Sequence, residues 1–118
     1  MLFVCYPKCS TCKKAKTWLD AHGFEYVERD IATDNPSAEE LRTWHAASGL
    51  PLKRFFNTSG MLYRSMGLKD KLPLMGEDEM IELLASDGML VKRPLLVLDN
   101  AVLVGFREKE WMTALGLG

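Results

Sequence analysis

Three cysteines, Cys5, Cys9 and Cys12, fall between positions 5 and 12 of this 118-residue chain and none occurs elsewhere. Cys9-Ser10-Thr11-Cys12 is a C-x-x-C that follows an apolar run and opens a stretch of helical periodicity. Two cysteines three apart in the first turn of a helix place their sulfurs on one side and within bridging reach. The unpaired N–H groups and the helix dipole there stabilise a thiolate on the first of them. Lys8 and Lys13 add positive charge. The expected chemistry is thiol–disulfide exchange, with Cys9 as the nucleophile and Cys12 as the thiol that resolves the adduct.

Metal chemistry fits these residues less well, and no metal is expected. Structural zinc wants four ligands, whereas the two histidines, His22 and His45, lie far beyond the single C-x-x-C. Counting Cys5 gives C-x3-C-x2-C, the spacing of an iron–sulfur loop, but Cys5 sits inside an apolar run and reads as a small core hydrophobe.

The elements that must position the cysteines follow from periodicity. Leu2 to Tyr6 is a continuous apolar run stopped by Pro7, which suits a strand buried on both faces. Ser10 to His22 carries Ala15, Trp18 and Leu19 on one face and Lys13, Lys14 and Lys16 on the other, an amphipathic helix with Gly23 as its terminator. Phe24 to Glu28 alternates and predicts a second strand, parallel to the first because a helix connects them. Ser37 followed by Glu40 is a capping box, opening a helix through Leu41, Trp44 and Ala47 to Gly49. Pro51 to Leu74 is broken by Gly60, Gly67 and Pro73 and predicts two or three short helices. Glu77 to Ala85 predicts a helix with acids at its dipole-favoured end. Pro94 to Leu98 and Ala101 to Val104, joined by Asp99-Asn100, predict a hairpin. Glu108 to Leu115 predicts a last helix with Trp111, Met112 and Leu115 inward. The three tryptophans fall at helical core spacings.

This order of elements predicts an α/β thioredoxin-like fold: a mixed four-stranded sheet with a helical insertion, about residues 36–90, between the second and third strands. The whole of 1–118 is expected to be one domain. In such a fold the Arg93-Pro94 bond precedes the third strand, is cis and faces the Cys9 loop. Arg93 then adds a guanidinium beside a thiolate and a helix N-terminus, a site for an oxyanion or carboxylate to which Ser10 and Thr11 contribute N–H donors.

With 15 basic and 16 acidic side chains, a net charge of −1 and a calculated isoelectric point of about 6.1, a nucleic-acid-binding role is disfavoured. Charge is blockwise: basic at Lys8 to Lys16, acidic from Asp20 to Glu40, basic over Lys53 to Lys71 and acidic over Glu77 to Asp87. No apolar run approaches membrane-spanning length, and no secretory leader is recognisable. The cytosol is the expected compartment, where clustered cysteines are not a structural disulfide framework.

Tyr6 to Ala15 around the C-x-x-C, Phe56-Asn57-Thr58-Ser59-Gly60, Lys92-Arg93-Pro94 and Val104-Gly105-Phe106 together resemble the arsenate reductase family, and within it the branch that includes the Spx-type regulators. The resemblance extends over essentially the whole chain. It implies that Cys9 stands at the nucleophile of the reductases and Arg93 at the arginine before the cis-proline. The insertion arginine falls at Lys53, with Arg54 adjacent, and Arg107 stands near the third. A lysine offers an oxyanion a point charge without a bidentate fork, so weak arsenate turnover is expected. It further implies a C-x-x-C disulfide, with glutathione, glutaredoxin or thioredoxin as reductant and no bound cofactor. The alternative role is that of an Spx-type redox-switched regulator that binds the RNA polymerase α subunit.

Overall fold

The computed structural model describes residues 1–117. Strands β1 (Leu2–Cys5), β2 (Val27–Asp30), β3 (Leu95–Val97) and β4 (Val102–Val104) form one mixed sheet in the order β2-β1-β3-β4. β1 runs parallel to β2 with Leu2 opposite Val27, and antiparallel to β3 with Val4 opposite Leu95. Helices α1 (Ser10–Ala21) and α6 (Glu108–Ala114) accompany one face of the sheet, while α2 (Ala38–Ser48), α3 (Met61–Ser65), α4 (Leu68–Lys71) and α5 (Glu77–Ser86) belong to the insertion on the other. The fold is the expected α/β, thioredoxin-like one.

Because β1 and β3 are central, both of their faces are buried. Phe3, Cys5 and Leu96 pack with Ala15, Leu19 and Trp111 on one side, and Val4 and Leu95 pack with Leu41, Phe55 and Leu84 on the other. That double burial is why these strands read as unbroken apolar runs. Trp18, Trp44 and Trp111 are all buried, as is Cys5.

Three observations revise the expectations. β2 starts at Val27 and ends at Asp30, three residues after the expected start. Phe24 and Tyr26 do pack against the α1 side of the core, so their alternation reports side-chain burial, while the hydrogen-bonded ladder of this edge strand falls on residues mostly open to solvent. The segment 51–74 holds four short helical pieces, with single 3₁₀ turns at Leu52–Phe55 and Leu72–Leu74 flanking α3 and α4. On α2, Leu41 and Trp44 face inward but Ala47 is exposed.

The insertion is tied to the sheet at points that matter for the site. The capping box at Ser37 and Glu40 is formed, and the Glu40 carboxylate also takes two hydrogen bonds from Arg29 at the end of β2, one of 2.6 Å and one of 2.9 Å. Gly88 lies so close to the backbone of Ile31 that a Cβ there would sit 1.8 Å from its carbonyl oxygen. Phe56 pairs with Val91 as an antiparallel bridge, with the Lys92 N–H donating to the Phe55 carbonyl (2.7 Å) and the Asn57 N–H to the Leu90 carbonyl (2.8 Å). This short ladder sets the approach to Arg93.

Candidate active site

Cys9 occupies the N-cap of α1 with extended backbone (φ −86°, ψ 125°). A tight turn holds it there, in which the Cys9 N–H donates to the Tyr6 carbonyl (2.9 Å) and the Cys9 carbonyl accepts from the Lys13 N–H (3.0 Å). No short side-chain capping bond closes the helix end, but the Cys9 sulfur faces the N–H groups of Cys12 and Thr11, and its ionised form draws on them. Cys12, one turn in, is buried; Cys9 is half-buried. All three cysteines are free thiols.

The two thiols of the motif are held in opposite states. Partial burial pushes the Cys9 thiol up, but hydrogen bonds outweigh it and bring the net value below the ordinary thiol range. They come from the Cys12 N–H and thiol, from Arg93 and from the Thr11 N–H. Burial pushes Cys12 up to about 12, helped by the negative charge of Cys9 and opposed by the Tyr6 N–H, which donates to the Cys12 sulfur at 3.4 Å. Cys5, buried under β1 and close to Glu28, is pushed up to about 11. One thiol of three, Cys9, is therefore the one prepared to act as a nucleophile.

The Arg93–Pro94 bond is cis, and Pro94 is buried at the start of β3. Arg93 lies across the Tyr6 ring, with its guanidinium carbon 5.0 Å from the centroid, and its positive charge is among the influences that lower the Cys9 thiol. Its Nη1 is buried without any acceptor. A buried donor left unpaired costs roughly 1–3 kcal/mol, and an anion or carbonyl beside it relieves that cost.

Two depressions meet at Thr11, Lys92 and Arg93, and Cys9 lines the first of them. One, of about 500 Å³, is lined by Cys9, Thr11, Asn57, Gly60, Met61 and Arg93 among others. A Cβ at Gly60 would crowd this lining, 2.8 Å from the Asn57 side-chain amide nitrogen and 3.2 Å from the Asn57 carbonyl. The second, of about 210 Å³, brings Arg54, Lys92, Arg93 and Arg107 together with Thr11. Gly105, at φ 76°, turns the chain out of β4 and accepts a hydrogen bond from the Trp111 indole (3.0 Å), which fixes the start of α6 and hence Arg107.

Cys9, Thr11 and Arg93 thus converge, with Cys12 directly behind. Ser10 is exposed and lines neither depression. Lys53 does not face Cys9: it lines a separate hollow of about 380 Å³, and its neighbour Arg54 is the residue turned into the arginine pocket. The single 3₁₀ turn at Leu52–Phe55 explains the exchange, because adjacent residues on so short a turn point in different directions. Arg54, Lys92 and Arg107 join the site through long-range pairing that local spacing does not report. Another groove of about 500 Å³, between β4 and α6, contains no cysteine. Among the described residues no three His, Cys, Asp or Glu side chains converge on a metal position, and no helix is long and apolar enough to cross a membrane.

The chain is 57% identical to the Uncharacterized protein YusI of Bacillus subtilis (strain 168), over 94% of both chains. It is 28% identical to the Global transcriptional regulator Spx of Enterococcus faecalis (strain ATCC 700802 / V583), over 88% of this chain and 77% of the relative. The crystal structure of an ArsC family related protein from Bacteroides fragilis superposes with a TM-score of 0.93 at 55% identity, over 95% of this chain and 94% of that one. The ArsC family pattern matches residues 5–114, a span that contains all three cysteines, the helical insertion and Arg93. The chain belongs to the ArsC family.

Proposed function

We propose that this protein is a cytosolic thiol–disulfide oxidoreductase working through Cys9 and Cys12. The observation that carries the reading is the asymmetry of the pair: Cys9 half-exposed and lowered, Cys12 buried one turn further in and raised to about 12. The Cys9 thiolate attacks one sulfur of a substrate disulfide. The Cys9–sulfur bond forms, the substrate S–S bond breaks, and the first substrate thiolate leaves. Cys9 is then neutral, so the share of the rise that its charge added to the burial of the Cys12 thiol is gone, while the Tyr6 N–H remains to stabilise a Cys12 thiolate. Cys12 loses its proton to solvent and attacks the Cys9 sulfur. The second substrate thiolate leaves, with the substrate reduced by two electrons and Cys9–Cys12 oxidised. Glutathione or a redox protein of the glutaredoxin or thioredoxin kind returns the pair to dithiol.

The test compares wild type, Cys9→Ser and Cys12→Ser on a neutral model disulfide and, separately, on arsenate with glutathione and glutaredoxin. Disulfide turnover that needs both cysteines supports the reading. Efficient arsenate reduction retained by Cys12→Ser, without disulfide turnover in wild type, overturns it. Arsenate turnover is expected to be weak because Cys12 resolves a Cys9 adduct before glutathione does, although Arg54, Arg93 and Arg107, which line one pocket beside Thr11, favour an anion.

A second reading takes the same disulfide as a switch in a regulator that contacts the RNA polymerase α subunit. It is supported by the similarity to a protein named as a global transcriptional regulator. Co-purification of the α subunit with only one redox form, without disulfide turnover, favours this second role.

A further inference from the structure

The pocket of Arg54, Arg93 and Arg107, of about 210 Å³, has room for a small anion, yet the positive surface continues beyond it. Lys92 lines the Cys9 cavity, the arginine pocket and the outer hollow of about 380 Å³, where Lys53 and Arg54 join it beside Thr58. No aspartate or glutamate lines any of the three depressions. Of these five cations only Arg107 has a carboxylate partner among the described residues, Glu110 at 3.7 Å, whereas Arg29 and Arg42 elsewhere each engage two. A connected cationic track without internal counter-ions is arranged for an external anion longer than one tetrahedral group.

The opposite lip of the Cys9 cavity is apolar. Met61 there is 86% exposed, at the start of the short helix α3. A large exposed apolar side chain beside a nucleophile suits a polypeptide, which offers apolar and charged side chains together. Nucleic acid fits less well. Of the aromatic rings near the track, Tyr6 is covered by Arg93, Phe56 is buried, and Phe106, which lines the arginine pocket, is half-buried against Trp18 and Trp111, so none among the described residues is a fully exposed stacking platform.

We propose that the hollow of Lys53, Arg54 and Lys92 is an outer recognition subsite that selects disulfides carried on acidic polypeptide segments, holding carboxylates that flank the cysteine as its sulfur reaches Cys9. This rests on the reading of Cys9 as the exchanging thiol, and the test separates the two.

A fluorescent peptide with glutamates on both sides of a serine, in place of cysteine, is titrated against the reduced protein and followed by anisotropy. The controls are the same peptide with glutamine for glutamate and a single-stranded oligodeoxynucleotide of equal charge. The acidic peptide should bind about tenfold more tightly than the glutamine peptide at low salt and lose that advantage at high salt. Lys53 is exposed on a turn, so Lys53→Glu leaves the core intact; it should cut the preference several-fold and favour a peptide with lysines in place of the glutamates. Equal binding of acidic and neutral peptides overturns the proposal, as does oligonucleotide binding equal to that of the acidic peptide, or a preference unmoved by Lys53→Glu. The cysteine form of the acidic peptide, as its mixed disulfide with a neutral thiol, then reports on chemistry. Preferential binding without exchange at Cys9 removes the proposed function and keeps the subsite. Exchange without preference does the reverse.

Discussion

Replacing Arg93 with methionine removes one donor that favours the Cys9 thiolate and one buried, unpaired donor, and the two effects can be measured apart. A hydrogen bond to a charged partner contributes roughly 1.5–3 kcal/mol, and the half-exposure of both residues places this one at the low end. At about 1.4 kcal/mol per pKa unit, the Cys9 thiol should rise by about one unit. Well below both values the thiolate fraction then falls about tenfold, but a more basic thiolate is about threefold more nucleophilic, so the net rate falls about threefold. Above both values the thiolate is fully formed in either protein, and the variant should react about threefold faster. The two rate–pH profiles must therefore cross. The assay is the second-order rate of reduced protein with a neutral aromatic disulfide between pH 5 and 10, with alkylation giving the midpoint independently. Loss of the Tyr6 contact costs about 0.5–1 kcal/mol, while removing the orphaned Nη1 relieves roughly 1–3 kcal/mol. At acidic pH, where Cys9 is protonated and the charged interaction with Arg93 contributes nothing, stability to urea should consequently hold or rise. A midpoint unchanged to within about 0.3 units, or a variant slower at every pH, would refute the assignment of Arg93 as a partner of the thiolate.

Mild oxidation followed by alkylation and peptide mapping should recover Cys9 and Cys12 as a disulfide and Cys5 as a free thiol, because Cys5 is buried and raised to about 11. In Cys12→Ser the same treatment with a model disulfide should stop at a stable mixed disulfide on Cys9. Gly88→Ala should lower stability by about 2–4 kcal/mol or prevent folding, since its Cβ would meet the Ile31 carbonyl at 1.8 Å; urea titration measures it. The Glu40 carboxyl is lowered by its hydrogen bonds from Arg29 and from the Ser37 N–H. A lowered acid stabilises fully above its unfolded value of about 4.3 and loses that contribution as pH falls through the folded value. Wild type should thus lose stability relative to Glu40→Gln only below about pH 5, as acid unfolding curves of the two will show.

Local chemistry was legible wherever it is written in neighbouring residues. The C-x-x-C at a strand-to-helix junction, the capping box from Ser37 to Glu40, the glycine terminators at Gly23 and Gly49 and the hairpin around Asp99-Asn100 all depend on interactions within a few residues, which spacing reports directly. The same is true of the double-sided burial of β1 and β3, because a strand covered on both faces has no polar positions. What tertiary structure decided lies at longer range. The β2 ladder begins at Val27 because its register is set against β1, not by the alternation of Phe24 and Tyr26. Arg54, and not Lys53, enters the arginine pocket because a single 3₁₀ turn and the pairing of Phe56 with Val91 fix which side chain of that adjacent pair points inward. The difference between Cys9 and Cys12, one lowered and one raised to about 12, comes from the deeper burial of Cys12 and from the donors around Cys9, the Cys12 N–H first and then Arg93, a residue distant in sequence that the fold brings to it. The sequence names the nucleophile; the fold supplies the electrostatic field that separates it from its neighbour.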